Sequence, residues 1–333
     1  MVKDLSQLPE FNEVLDFDES LFEVVGTTSE EDEQITTAPY SYWKSVWRQL
    51  FKNPIAMLCI AIVIVLLFFT IFGPLMGSSE IITTKPGAYG RPTSVFPNAE
   101  HYFGTSLGGR DLWNDIWKGA QFSLKLALVV SLINVVLGLV IGGFWGYIRA
   151  LDPIMIEISN VISNIPSLLI YIMVLEVLPN SAGNETAAFW NSVLVMTMFG
   201  WMGLASTMRN QIIIIRNREF NIASEALGSR AHTIIIHNLL PNLVSIIAQV
   251  VISFIPSCIS SEVSLIYFGA FPVTQVSLGQ VLNTAFSAKN IANALRSYQH
   301  TLFFPAIIMI LLTVAFFYFG MAVADATDPK KHR

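Results

Sequence analysis

The residue types that most often carry chemistry are sparse in this chain and poorly grouped. His232 and His237 stand five apart, so they do not share a helical face as metal ligands at i, i+4 would. No Gly-Lys pair occurs anywhere in the 333 residues, which removes the phosphate-cradling loop that needs that lysine. The two cysteines, Cys59 and Cys258, fall within apolar stretches, where a thiol serves as a small buried hydrophobe. Asp325 and Asp328 flank a helix end and suit solvent or a partner. Asn184-Glu185-Thr186 has the form of a glycosylation acceptor. The chain therefore reads as a non-enzyme with no metal and no cofactor of its own. What remains are polar groups inside or at the ends of apolar runs. Carboxylates and amides at membrane depth are costly and mark functional sites by default. Glu262, Asn134 and Asn164 are accordingly candidates for lining a path for a polar solute. The alternatives are helix–helix hydrogen bonds for Asn134, Asn160 and Asn164, and carboxylates that snorkel to interfacial water for Glu176 and Glu262.

The elements that must position these groups are membrane helices. Hydrophobic residues make up 53% of the chain and charged ones 13%, too apolar a balance for one soluble core. Two cysteines argue against a disulfide scaffold, and a net charge of -5 without a basic block argues against nucleic acid as a partner. Charge-free gaps long enough to span a bilayer run over 53–79, 126–148, 158–175, 186–208, 239–261 and 297–324. The third is the weakest, because it carries Asn160, Asn164 and Pro166. The expectation is an all-α membrane protein of about six transmembrane helices.

Charge placement orders the chain around those spans. Residues 1–40 hold eleven acidic residues and one basic, leaving 18 basic and 13 acidic for the rest. They form an acidic tail without the basic start and apolar run of a signal peptide. Residues 41–77 read as an amphipathic segment and the first span. Residues 78–121 read as an extracytoplasmic loop, ending in Leu112, Trp113, Ile116 and Trp117, a stretch suited to the membrane interface. Residues 122–330 hold the other five spans and the loop 209–241. Six spans put twelve basic residues on the side shared by both termini and the 209–238 segment, against seven on the other. The richer side is expected to face the cytoplasm, in a multi-pass protein of the plasma membrane.

That cytoplasmic loop is the most informative segment. Asn217 is placed to cap a helix whose first turn holds Glu219, at the positive end of the helix dipole. Phe220, Ala223 and Leu227 recur at helical spacing and give it a small apolar side, and Gly228 ends or bends it. A second helical stretch is expected over 231–240, with Pro241 leading into span five. A short exposed apolar face suits a docking site, although a helix lying along lipid headgroups has the same pattern.

The same segment resembles the EAA loop of ABC-transporter permease subunits. Ala223 and Ser224 stand at its two Ala positions, Gly228 at its Gly, and Leu240-Pro241 at its closing Leu-Pro, with Ile222 in place of the Glu and Asn238 in place of the Ile. Ala226-Leu227-Gly228 and Leu239-Leu240-Pro241-Asn242 are similar to the oligopeptide/dipeptide branch in particular. So is the stretch 104–111, GTSLGGRD, which resembles the GTDxxGRD of the C-type permease in that branch. Glu262 with Leu265 and Gly269, Ser277-Leu278-Gly279, and the tail 325–330 resemble further stretches of the branch in the same order. The resemblance covers roughly 41–330.

It implies a type I ABC importer permease fold and a role as half of a translocation pathway for oligopeptides or dipeptides. Glu219, Phe220, Ala223, Ser224, Ala226, Leu227, Gly228, Leu240 and Pro241 would couple the chain to an ATPase. The implied partners are a homologous second permease, two P-loop ATPase subunits carrying ATP and magnesium, an extracytoplasmic substrate-binding protein, membrane lipid and the peptide itself. The alternative is a secondary transporter driven by an ion gradient, which would show inverted repeats and more mid-span charge than this sequence has. A membrane scaffold without transport would leave the 219–241 pattern unexplained.

Overall fold

A computed structural model describes residues 42–77, 95–106, 109–179, 183–228, 240–271, 275–287 and 298–327. The acidic tail and the second helical stretch expected over 231–240, with His232 and His237, lie outside these residues, apart from Leu240 itself. The described chain is helical apart from short connections and one isolated bridge, Thr105 with Asp111.

Helix α1 (Tyr42–Lys52) is amphipathic, with Val46 and Leu50 buried and Trp47 and Phe51 exposed and stacked on each other. Asn53 separates it from α2 (Pro54–Met76). The Asn53 side chain accepts from the Ile55 and Ala56 amides, and Pro54 opens the helix where no N–H is required. Helix α3 (Leu112–Tyr147) has 36 residues. At about 1.5 Å per residue it is near 54 Å long, well over the roughly 30 Å of a bilayer's hydrocarbon. It starts earlier than the sequence suggests. Leu112, Trp113, Ile116 and Trp117 are buried in the core as its first turns, not laid on a membrane surface. Their amphipathic spacing marks a helix face packed on protein, with the Trp113 indole donating to the Gly73 carbonyl of α2 at 2.8 Å.

A single 3-10 turn (Arg149–Leu151) leads to α4 (Asp152–Ser163) and α5 (Ser167–Val177). These two occupy the third expected span and are bent by 84° at the intervening break. Pro166 supplies no N–H and Asn164 ends α4, so the helix cannot run through. Helices α6 (Glu185–Gly200) and α7 (Met202–Arg216) together make the fourth span, interrupted at Trp201. Then come α8 (Glu219–Ala226), α9 (Leu240–Tyr267), α10 (Leu278–Ser287) and α11 (Gln299–Thr327). Five of these stretches are long and apolar enough to cross a membrane, and the bent α4–α5 pair makes six if it counts as one span.

Two clusters form the interior. The larger joins α2, α3, α5, α6, α9, α10 and α11 around residues such as Leu66, Ile116, Leu126, Ile259 and Leu312. The smaller packs Val135 of α3 against Leu204, Met208, Ile212 and Ile215 of α7 and Leu243 of α9. Between helices in lipid there is little hydrophobic drive, so close approach matters more. Gly138, Gly142 and Gly146 of α3 face Leu204, Ala205 and Ile212 of α7 so closely that an added Cβ would lie 2.6–2.9 Å from them. The two helices therefore run in the same direction, and their C-terminal ends meet at a basic end that carries Arg209 and Arg216. The opposite, aromatic end gathers Trp113, Trp117, Phe103 and Phe304.

Candidate functional site: the coupling segment and the buried polar groups

At the basic end, α8 follows α7 after a two-residue turn. Asn217 does not cap α8. Its N–H donates to the Ile213 and Ile215 carbonyls and so ends α7. The Arg218 carbonyl accepts the amides of Asn221 and Ile222 at the first turn of α8. Among the described side chains of α8, Asn221 is the buried one, and its side-chain amide donates to the Ile215 carbonyl at 2.7 Å. This bond ties α8 to the last turn of α7. The other described side chains of α8 face outward: Glu219, Ile222, Ala223 and Ala226 are exposed and Ser224 is partly so. Leu227, just past the helix, is 87% exposed. Gly228 has φ +84°, and among the described residues no heavy atom beyond its chain neighbours lies within 4 Å of where its Cβ would be. Its requirement is thus conformational: it turns the chain through the left-handed region that glycine enters at least cost. Phe220 is the second residue of α8, and Leu240 and Pro241 open α9. Their side chains lie outside the described residues.

A polar clamp holds the ground on which α8 stands. Arg209 of α7 makes a two-pronged pair with Asp152 of α4, 2.7 Å from Nε to Oδ1 and 2.6 Å from Nη2 to Oδ2. The Trp145 indole of α3 donates to the same carboxylate at 2.9 Å, and the guanidinium lies 5.8 Å from a Trp145 ring centroid. Arg216 donates to the Gly146 and Tyr147 carbonyls, putting a cation on the negative end of α3. Bidentate charge-assisted bonds fix geometry more firmly than single neutral ones. The clamp thus makes one body of the adjoining ends of α3, α4 and α7. Sequence reasoning missed it. Arg209 counted there only as a basic flank, and a pair 57 residues apart leaves no spacing signal.

The three candidate path residues fall in three different settings. Glu262 of α9 has no exposure. Its Oε1 accepts from the Ser123 hydroxyl of α3 at 3.0 Å, and Ser123 Oγ in turn accepts from the Leu278 amide at the start of α10. Ser277 caps α10 by accepting from the Gln280 amide, and Gly119 of α3 lets the Ser277–Leu278 backbone come close. Glu262 thus joins three helices beside the positive N-terminus of α10. Asn134 is buried, and its side chain lies against Gly200 where a Cβ would be 2.6 Å from Nδ2. That is contact between helices. Asn164 is exposed at the α4–α5 break, and its amide donates to the Asn160 carbonyl at 2.8 Å. The three are not brought together. Cys59 and Cys258 are free and buried, as their apolar surroundings suggest.

Residues 104–106 and 109–111 help to fix the aromatic end. Gly104 and Gly109 have positive φ, the Ser106 amide donates to the Arg110 carbonyl, and Asp111 caps α3 by accepting from the Trp113 amide. His300, at the start of α11, lies 3.2 Å from the Thr105 carbonyl through Nε2. The ends of α3 and α11 are thereby held by one short loop.

Comparison with known proteins gives this arrangement a family. The binding-protein-dependent transport system inner membrane component family matches residues 134–333, which holds the clamp, α8 and the last two spans. The chain belongs to that family. Residues 41–88 match the N-terminal TM domain of oligopeptide transport permease C. The oligopeptide transport system permease protein AmiD of Streptococcus pneumoniae is 34% identical over 317 residues, covering 95% of this chain and 99% of the relative. The dipeptide transport system permease protein DppC of Bacillus subtilis is 30% identical, over 91% of this chain and 90% of its own. The glutathione transport system permease protein GsiD of Escherichia coli is 26% identical over 90% and 92%. The chain is a membrane-spanning permease of a binding-protein-dependent, ATP-driven importer, and the gradient-driven alternative is set aside.

Proposed function

We propose that this chain is half of the translocation pathway of an importer for short peptides. Its basic end would face the cytoplasm with both termini. ATP and magnesium would be bound by two partner ATPases, and an extracytoplasmic binding protein would deliver the peptide to the aromatic end. The peptide assignment rests on the relatives that move oligopeptides, dipeptides and glutathione. The assignment of α8 rests on one observation above others: it is a short helix with Ile222, Ala223, Ala226 and Leu227 exposed, yet anchored to the bundle through Asn221. Such a helix can enter a groove on a partner without giving up contacts of its own. Motion of the ATPases would then pass through α8 to α7, and through the Arg209–Asp152 clamp to α3 and α4. A two-state bundle biased in this way opens alternately to each side.

The test uses the full complex purified in mild detergent and returned to liposomes. Gly228→Leu is expected to insert normally, retain the second permease, and lose at least tenfold in peptide uptake per ATP hydrolysed. Leu227→Arg is expected to weaken retention of the ATPases on affinity purification. Unchanged uptake and unchanged ATPase retention in both variants would remove α8 from the coupling role. Co-purification of no ATPase with the wild type would remove the reading itself.

A further inference from the structure

A cleft of about 730 Å³ opens at the aromatic half of the molecule, between α3, the start of α6 and the segment that leads into α10. Its α3 wall is a single helical face, with Lys118, Phe122 and Lys125 at i, i+4 and i+7. Glu185 and Phe189 of α6 stand opposite, with Gln275 at the rim. The Gln275 amide donates to the Glu185 carboxylate. No ion pair to a carboxylate forms at either lysine among the described residues. The Lys125 ammonium lies instead 5.2 Å from the centroid of the Phe189 ring, and Phe189 meets Phe122 edge to face at 6.0 Å.

The depth of these cations gives them meaning. Lys125 is 22 residues from the end of α3 at Tyr147, or about 33 Å along the helix. That is close to the roughly 30 Å of hydrocarbon, so with the end of α3 at one boundary of the membrane Lys125 would sit near the other and Lys118 about 10 Å beyond it. An ammonium at such a boundary is expected to snorkel to water or to pair. Here two of them line one wall of a roomy cleft whose carboxylate is held by an amide. The open chemistry is therefore that of a single anionic group, with aromatic rings for whatever side chain accompanies it. A lipid phosphate would bring two acyl chains. The cleft is lined by charged and amide groups and by the rings of Phe122, Phe189 and Trp190 rather than shaped as a slot for alkyl chains, which favours a small solute.

We propose that this cleft is a substrate subsite, in which Lys118 and Lys125 receive the terminal carboxylate of the peptide before it passes between the two permeases. The proposal rests on the peptide-importer reading above and adds to it the residues that recognise the solute's end. The aromatic pair Phe122 and Phe189 would hold the last side chain, and cation–π contact keeps Lys125 in place while the cleft is empty.

The experiment uses the complete importer with its binding protein in liposomes and a radiolabelled tripeptide. Two photoreactive versions carry the reactive side chain on either the last or the first residue. In the wild type the version reactive at its last residue is expected to label the 118–125 stretch. Lys118→Gln/Lys125→Gln is expected to reduce that labelling at least fivefold and to raise the uptake KM about tenfold. Lys118→Arg/Lys125→Arg is expected to restore most of both. ATP hydrolysis without peptide should stay unchanged in all variants. Labelling of the stretch by neither version, or labelling that the glutamine variant leaves intact, would overturn the subsite. A rise in KM with unchanged labelling would assign the lysines to a lipid headgroup or a partner chain and also overturn it. Failure of the wild type to take up the tripeptide at all would instead count against the peptide-importer reading.

Discussion

Helices α3 and α7 and helices α4 and α5 are joined through one clamp, yet they are built in opposite ways. The first pair closes on itself. Three glycines of α3 at four-residue spacing bring its backbone against Leu204, Ala205 and Ile212, and both helices bury a continuous side. The second pair has no fully buried residue, is broken at Asn164–Pro166, and exposes Ile154, Val161, Leu169 and Met173. An irregular backbone at membrane depth is tolerated where protein or water covers it, not against lipid. The contrast separates a part of the permease that is packed within this chain from a part that is left open, which the second permease of the proposed importer would complete.

The largest expected effect breaks the finished side. A Cβ at Gly142 would lie 2.6 Å from the Ala205 carbonyl oxygen and 2.7 Å from its Cα, both backbone atoms. Gly142→Leu should therefore cost about 3 kcal/mol or more, the upper range for overpacking, seen as a lower melting temperature and a poor folded yield in detergent. Gly143, one residue on, has no described atom outside its own helix backbone within 4 Å of its Cβ position. Gly143→Leu should change stability by no more than about 0.5 kcal/mol, the usual range for surface substitutions. Equal losses in the two variants would show that α3 and α7 do not approach as described.

The next effect tests the joint between the regions. Asp152→Ala or Arg209→Ala removes the two charge-assisted bonds of a partly buried pair, and Asp152→Ala also removes the one from the Trp145 indole. Each should cost about 2 kcal/mol, with a coupling of about 1 kcal/mol or more in the double-mutant cycle. Peptide uptake per ATP should fall further than stability does, because α8 loses its connection to α4. Additive losses would mean that the pair bears no shared load. The smallest stability effect sharpens the comparison from the other side. Pro166→Ala, in helices with no buried residue, should shift the melting of the isolated chain by less than about 0.5 kcal/mol. It should still reduce co-purification of the second permease, because it favours a straight helix where the partner meets a bent one. A large loss of stability in the isolated chain would place the break inside a packed core.

Much of this protein is legible in its sequence. The spans at α2, α9 and α11 follow from runs of apolar residues, because each helix satisfies its own backbone and needs only local composition to be recognised. The weakness of the third span was legible too, since Asn164 and Pro166 are local signals of a break. Gly228 ends α8 as its position after Leu227 suggests, because a left-handed turn is a property of one residue. The start of α3 was misread for a related reason. The spacing of Leu112, Trp113, Ile116 and Trp117 defines an apolar face but not what covers it, and Gly73 of α2, which accepts the Trp113 indole hydrogen bond, lies 40 residues away.

What only the tertiary structure decided are the partners of the polar groups. Glu262 and Ser123 are 139 residues apart, and Asp152 and Arg209 are 57 apart. Nothing in either segment marks the other, because a hydrogen bond across helices depends on which faces the packing turns toward each other. The same holds for Lys118 and Lys125, whose common face is written in their spacing. Only the packing of α6 and the segment before α10 against that face makes it the wall of a cleft.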